Sequence, residues 1–311
     1  MEQNAASDAA IPSRRLAMAG HGGIPLVADA WGDPEAPPVV LLHGGGQTRH
    51  AWGDTAATLA REGWYAVSLD LRGHGESGWA PDGDYSVDAF VRDVQAWVES
   101  FRVRPVLVGA SLGGISALLA EGEAEQSLCT ALVLVDIAAR IERDGAVRII
   151  EFMQAQPEGF ASLDAAADAV AAYLPHRKRP RDLSGLARNL RQGADGRWRW
   201  HWDPGFLAPG RGPRPGEEPL RLERAARALR IPTLLVRGRL SDLLSEAGAQ
   251  HFLSLVPHAR FADVREAGHM VAGDRNDLFT DAVVAFLRSI EPGAGDEPDA
   301  WSEPAGSCGS G

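Results

Sequence analysis

Cysteine is almost missing from this chain: there are two in 311 residues, Cys129 and Cys308. Cys308 lies in a stretch of glycine, serine and acid, so a stabilising disulfide between them is not expected. No C-x-x-C pair is present that could build a structural zinc site or a thioredoxin-like redox pair. No unbroken apolar run reaches the roughly 18 residues of a membrane span. Met1 to Arg15 lacks the apolar stretch of a secretory leader. The long uncharged segment Val106–Ala120 is interrupted by Gly109, Gly113 and Gly114, and reads as a buried strand followed by a buried helix. Positive charge is also scarce: 31 Lys and Arg stand against 42 Asp and Glu, a formal charge of −11. A chain this acidic lacks the basic face that phosphate binding needs. Phosphate-binding glycine loops, dinucleotide fingerprints and metal-ligand sets are likewise not evident. These absences predict a cytoplasmic protein with no metal or cofactor and no nucleic-acid or membrane partner. Its oligomeric state is not legible.

What is present is an ordinary globular composition, 45% hydrophobic and 23% charged, sufficient for a sizeable core. Short apolar runs alternate with helical periodicity. Strands are predicted at Pro38–Leu42, Tyr65–Leu71, Val106–Val108, Ala131–Ile137, Pro232–Arg237 and Arg260–Arg265. Helices are predicted near Trp52–Glu62, Ser86–Phe101, Leu112–Ala120, Ser245–Leu255 and Asp277–Ser289. In the second of these Val87, Phe90, Val91, Val94 and Val98 share one face. Uniformly apolar strands alternating with helices indicate an α/β protein whose parallel sheet is covered on both faces. Two further strands, Arg14–Ala19 and Leu26–Trp31, suggest an antiparallel start. The alternation breaks at about residue 138 and resumes at about 231. The expectation is therefore a core of 14–137 and 231–290, a cap insertion of 138–230, and disordered tails at 1–13 and 292–311. Inside the cap, helical patterns fall at Arg143–Gln154 and Leu163–Tyr173, and an irregular Pro/Gly loop runs from Pro204 to Pro219.

Gly109-Ala110-Ser111-Leu112-Gly113 fits G-x-S-x-G, with an apolar strand before it and a helix after it. A sharp strand-to-helix turn there would expose the Ser111 hydroxyl, and the flanking glycines would give the turn room. A serine nucleophile needs a base. Of nine histidines, His269 follows the last strand and precedes the last helix, so its loop reaches the same sheet edge as Ser111. His43 and His74 sit in Gly-rich turns and are assigned structural roles. The base needs a carboxylate to fix its tautomer. Asp242, after the strand that resumes the sheet, is preferred. Asp136, at the end of Ala131–Val135, is its rival, and Glu246 comes behind both. An oxyanion needs backbone N–H donors. Leu112 would give one, and Gly45 of His43-Gly44-Gly45-Gly46 the other, with Gly46 as an alternative. Trp198, Trp200 and Trp202 alternate along one segment, and either wall a substrate pocket or pack the cap. Arg177-Lys178-Arg179 with Arg181 reads as a solvated cap surface.

These motifs, together with Asp70-Leu71-Arg72-Gly73-His74-Gly75-Glu76-Ser77 and the order Ser…Asp…His, resemble the α/β-hydrolase superfamily from about Arg14 to Ile290. The resemblance implies a mostly parallel central sheet with helices on both faces and a helical cap insertion. A serine at the elbow sets the chain apart from the members with aspartate there, which resemble haloalkane dehalogenases and epoxide hydrolases. The expected activity is that of an esterase: hydrolysis of carboxylic esters of small to medium apolar substrates through an acyl-enzyme, with no cofactor. Perhydrolase or haloperoxidase-like chemistry, carbon–carbon bond hydrolysis with the same triad, and a slow ligand receptor on a hydrolase frame are the alternatives.

Overall fold

The computed structural model describes residues 14–175, 179–208, 219–265, 267–269 and 276–290. The expected tails, Cys308, Arg177 and Lys178 lie outside the described residues, as does 209–218 of the Pro/Gly loop.

Eight strands form the main sheet: β1 (Arg14–Ala19), β2 (Pro25–Trp31), β3 (Pro38–Leu42), β4 (Tyr65–Leu69), β5 (Val106–Ala110), β6 (Ala131–Val135), β9 (Thr233–Gly238) and β10 (Arg260–Val264). Their spatial order is β1-β2-β4-β3-β5-β6-β9-β10. The β1–β2 and β2–β4 pairs are antiparallel, and every later pair is parallel. The central strands are apolar throughout because both faces are covered. On β5, Leu107 faces one core, while Val106 and Val108 face the other. The first core is closed by α2 (Val87–Glu99), α3 (Leu112–Gly122), α7 (Pro219–Ala228) and α8 (Glu246–Leu255). The second is closed by α1 (Gly53–Arg61) and α9 (Asn276–Ile290), where Trp52 meets Phe279 with ring centroids 5.5 Å apart. Helix α2 starts where Ser86 accepts from the Ala89 N–H. It buries Phe90, Val91, Val94, Trp97 and Val98 as one stripe. Full burial of a side chain such as Phe90 is worth about 1.5–3 kcal/mol.

Between β6 and β9 the chain forms α4 (Arg143–Gln154), α5 (Leu163–Tyr173), the short α6 (Ser184–Ala187) and a hairpin of β7 (Leu190–Gln192) with β8 (Trp198–Trp200). A 3-10 turn at Pro204–Leu207 follows, and then α7. The α4 and α5 helices fall where the sequence predicts them. Helix α7 carries no predicted counterpart, since it is rich in Arg and only Leu222, Ala225 and Ala226 are buried. Those three residues are spaced i, i+3, i+4, which turns one narrow stripe onto the first core, against α3 and α8. Phe160, Ala166 and Leu190 form a small separate core with Trp198 beside them. Among the described residues no helix is long and apolar enough to cross a membrane.

Candidate active site

Ser111 joins β5 to α3 with φ 46° and ψ −115°, one of two non-glycine residues with positive φ among those described. The strained turn exists because its neighbours have no side chains. A Cβ on Gly109 would lie 2.6 Å from the Gly113 backbone, and one on Gly113 would lie 2.5 Å from the Leu42 carbonyl oxygen. The sharp turn leaves Ser111 on the wall of a large cavity at the carboxyl edge of the sheet.

The other positive φ, 50°, belongs to Asp136, the residue after β6. Its side chain is fully buried. Oδ1 accepts from the Gly238 N–H at 3.0 Å, and Oδ2 accepts from the Ser241 hydroxyl and from His269 Nδ1, the latter at 2.7 Å. His269 lines the same cavity as Ser111. The preference for Asp242 is corrected here: Asp136, not Asp242, meets His269. The reason is the turn after β9. Arg239 N–H bonds Val264, Leu240 N–H bonds Ala267 and Ser241 N–H bonds Gly238, so the chain folds back at once. Asp242 is carried outward to α4, where it pairs with Arg148; a Cβ on Gly145 would lie 2.2 Å from its carbonyl oxygen. Strand β6 instead lies directly beside β5, so its first residue past the sheet sits one strand away from the serine. Glu246 begins α8 and does not line the cavity.

Side chains hold the turn after β3 in place. Gly44 N–H donates to Gln47 Oε1 at 2.9 Å, and Gly46 N–H donates to His74 Nε2 at 3.1 Å. His43 Nδ1 bonds the Gly44 carbonyl at 2.8 Å, and His201 Nε2 faces the Gly46 carbonyl at 3.3 Å. Gly113 N–H is taken by the His43 carbonyl. The Gly46 N–H is thus already used. The Gly45 and Leu112 N–H groups, by contrast, have no intramolecular acceptor among the described residues and both line the cavity. Leu112 also opens α3, where the helix dipole favours negative charge.

Both turn histidines are buried and neutral. Burial holds His43 down at about 4 and, with the neighbouring His43 adding to it, holds His74 at about 3. Burial, then His74 and His43, push His201 well below its ordinary value. His43 Nε2 accepts from the Leu71 N–H at 3.0 Å and His74 Nδ1 bonds the Arg72 carbonyl at 2.9 Å, so both serve the turns, as expected. His201 has no signal of its own in the sequence. The pattern there belongs to its flanking tryptophans, and nothing local marks a histidine whose partners lie more than 120 residues away.

The cavity measures about 1690 Å³. Apolar side chains from α4, such as Ile149, Phe152 and Met153, line it, together with Trp200, Trp202 and Phe206. Trp200 and Trp202 stack with centroids 5.0 Å apart and 11° between planes. Trp198 does not belong to this wall. It is paired across the hairpin with Gln192, bridges to Phe160 and packs on the small separate core. The three indoles therefore divide, because the chain leaves the hairpin after Trp200 and carries Trp202 into the main core. Arg179 of the basic run pairs with Asp164 and Asp168, each at 2.7 Å. Among the described residues no group of three His, Cys, Asp or Glu side chains is placed to hold a metal ion.

The profile of the alpha/beta hydrolase fold family matches residues 37–275. Esterase Rv0045c of Mycobacterium tuberculosis is 30% identical over 278 residues, covering 83% of this chain and 84% of that protein. A 3-hydroxybutyrate-oligomer hydrolase of Cupriavidus necator is 29% identical over 254 residues, covering 77% and 85%. The solved structure of the mycobacterial esterase matches with a TM-score of 0.70 at 27% identity, over 90% of this chain and 91% of that one. An E-2-(acetamidomethylene)succinate hydrolase has a TM-score of 0.76 at 23% identity, over 89% and 99%, a likeness of fold. With the profile spanning most of its length and esterases among its relatives, this chain belongs to the α/β-hydrolase superfamily as an esterase-like enzyme of the hydrolase class.

Proposed function

We propose that the protein hydrolyses carboxylic esters of small to medium apolar molecules through an acyl-enzyme on Ser111. The observation that carries this reading is the His269–Asp136 contact of 2.7 Å on the wall that Ser111 shares. A buried carboxylate fixes the imidazole with its proton on Nδ1, which leaves Nε2 as a base. Ser111 Oγ attacks the ester carbonyl while His269 Nε2 takes its proton. The Gly45 and Leu112 N–H groups stabilise the oxyanion. The tetrahedral intermediate collapses, the C–O bond breaks, and the alcohol leaves with the proton from His269. Water, deprotonated by the same nitrogen, then attacks the acyl carbonyl and releases Ser111.

The segment from α4 to the Pro204–Leu207 turn acts as a cap, with Trp200 and Trp202 as the wall for the apolar part of the substrate. The names of two relatives, an esterase and a hydroxybutyrate-oligomer hydrolase, favour an ester bond as the target. The test is a fluorophosphonate probe with a p-nitrophenyl ester series of rising chain length. One label per chain, lost in Ser111→Ala together with ester turnover, is the expected outcome. Labelling that survives Ser111→Ala would overturn the assignment of the nucleophile. Labelling without turnover of any ester would favour a receptor.

A further inference from the structure

We propose that His201 is a positioning residue: it ties the indole-bearing segment to the turn that carries the Gly45 donor and holds that donor in register. His201 stands between Trp200 and Trp202 and is 2% exposed. Its Nδ1 accepts from the Gly75 N–H at 2.7 Å. A neutral ring that accepts at Nδ1 carries its proton on Nε2, and this nitrogen faces the Gly46 carbonyl at 3.3 Å. Gly46 is therefore gripped at both ends, its N–H by His74 and its carbonyl by His201. The two rings are neighbours, with centroids 5.8 Å apart.

Gly45 has no side chain of its own to hold it, so the direction of its N–H follows from how its neighbours are fixed. One neighbour, Gly44, is held by residues of its own turn, Gln47 and His43. The other is held in part by His201, which arrives from the far side of the cavity. Among the described residues the segment's other hydrogen bonds, one from the Tyr85 hydroxyl to Asp203 among them, do not reach Gly44, Gly45 or Gly46. Asp203 N–H donates to the Gly73 carbonyl at 2.8 Å, Arg191 donates to the Gly75 carbonyl, and Thr48 Oγ1 donates to Asn189 Oδ1 at 3.1 Å. His201 thus links the indole wall to the oxyanion turn itself. A side chain that only filled space at this position would leave the buried Gly75 N–H without its acceptor.

This inference rests on the proposed ester hydrolysis, and the two fail differently. Asparagine and glutamine divide the two bonds. In His201→Asn, Oδ1 stands where Nδ1 was and keeps the Gly75 bond, while the donor to Gly46 is lost. In His201→Gln, the amide reaches the Nε2 position and keeps the donor to Gly46, while the Gly75 bond is lost. The purified full chain is assayed on p-nitrophenyl butyrate, with Tm followed by circular dichroism. Removing one oxyanion donor outright costs about 10²–10³ in kcat; loosening it should cost about tenfold. The expected result is a tenfold lower kcat for His201→Asn with KM within about twofold and Tm close to that of the unaltered chain. His201→Gln should keep kcat within about threefold even where Tm falls. Equal loss of kcat in both variants, an unchanged kcat in His201→Asn, or a change confined to KM would overturn the proposal. Should His201→Asn not fold, the Gln variant decides, since a tenfold loss of its kcat refutes the role. An unaltered chain without ester turnover refutes the catalytic reading and this inference with it, whereas failure of the variants' pattern alone refutes only the inference.

Discussion

Asp136 and Asp242 both lie just beyond an apolar strand at the carboxyl edge of the sheet, and each has one nitrogen partner at the cavity. For Asp136 it is His269; for Asp242 it is Arg148. Their surroundings differ completely. Asp136 is fully buried, and its oxygens accept from Gly238, Ser241 and His269. The Asp242 side chain is 42% exposed and its arginine partner 59% exposed. A carboxylate taken out of water must have every lone pair answered, and its geometry is then fixed by those partners. An exposed ion pair contributes roughly 0–1 kcal/mol and is loosened by salt. The carboxylate behind His269 is accordingly a buried group with a set direction. The Asp242–Arg148 pair is one that water can replace.

The sharpest way to break this contrast is to neutralise each aspartate in turn. Asp136→Asn should lower kcat on a p-nitrophenyl ester by about 10⁴, because the imidazole loses the acceptor that fixes its tautomer. Asp242→Asn should stay within about threefold. A larger loss for Asp242→Asn than for Asp136→Asn would reverse the assignment.

The second expectation concerns stability and the buried histidines of the turns after β3 and β4. His43 and His74 are held neutral by burial, at about 4 and about 3 against an ordinary value of 6.5. At pH 5 the unfolded chain protonates both, while the folded chain leaves both neutral. The unfolded state then binds more protons, so stability falls as pH drops from 6.5 towards 4 and is fully present above 6.5. The slope is ~1.4 kcal/mol per pH unit for each histidine. Urea unfolding at a series of pH values should show it, with a shallower slope in His74→Asn. A flat profile in the unaltered chain between pH 6.5 and 4.5 would sink the idea.

The smallest effect separates the indoles. Trp200 lines the cavity and also meets Phe160 edge-on, whereas Trp198 packs on the small core around Phe160 without lining the cavity. Trp200→Ala should shift the preferred acyl chain length several-fold while acetate hydrolysis changes little, since apolar burial is worth roughly 25 cal/mol per Å². Trp198→Ala should lower Tm and leave the chain-length profile as it was. Equal profiles for the two variants, both folded, would show that the stacked indoles are cap core.

Most of the candidate site is legible in the amino-acid sequence. Ser111, His269 and the turn with Gly45 each sit where an apolar strand stops, and local pattern suffices to find strand ends. The elbow is legible because its glycines are adjacent to it in sequence. The choice between two strand-end aspartates is not, because the order Ser…Asp…His holds for both. What separates them is strand order. Strand β6 lies beside β5, and the turn after β9 folds back through bonds to Val264 and Ala267. Helix α7 is hidden for a related reason: its buried stripe is three small or medium residues among arginines, and only the groove beside α3 gives that stripe meaning.

The sequence by itself determined the strands of the main sheet and most of its helices, the alternation that makes a covered parallel sheet, and the chemical groups available at its carboxyl edge. These follow from periodicity, turn sterics and the scarcity of alternatives within a few residues of each position. The tertiary structure alone decided which acid meets His269, which indoles reach the cavity, and that His201 grips the turn beside Gly45. These three side-chain contacts of His269 and His201 join residues more than 120 positions apart. Hydrogen bonding acts over about 3 Å, so such pairs are set by how strands and segments are laid side by side, which no local stretch of sequence records.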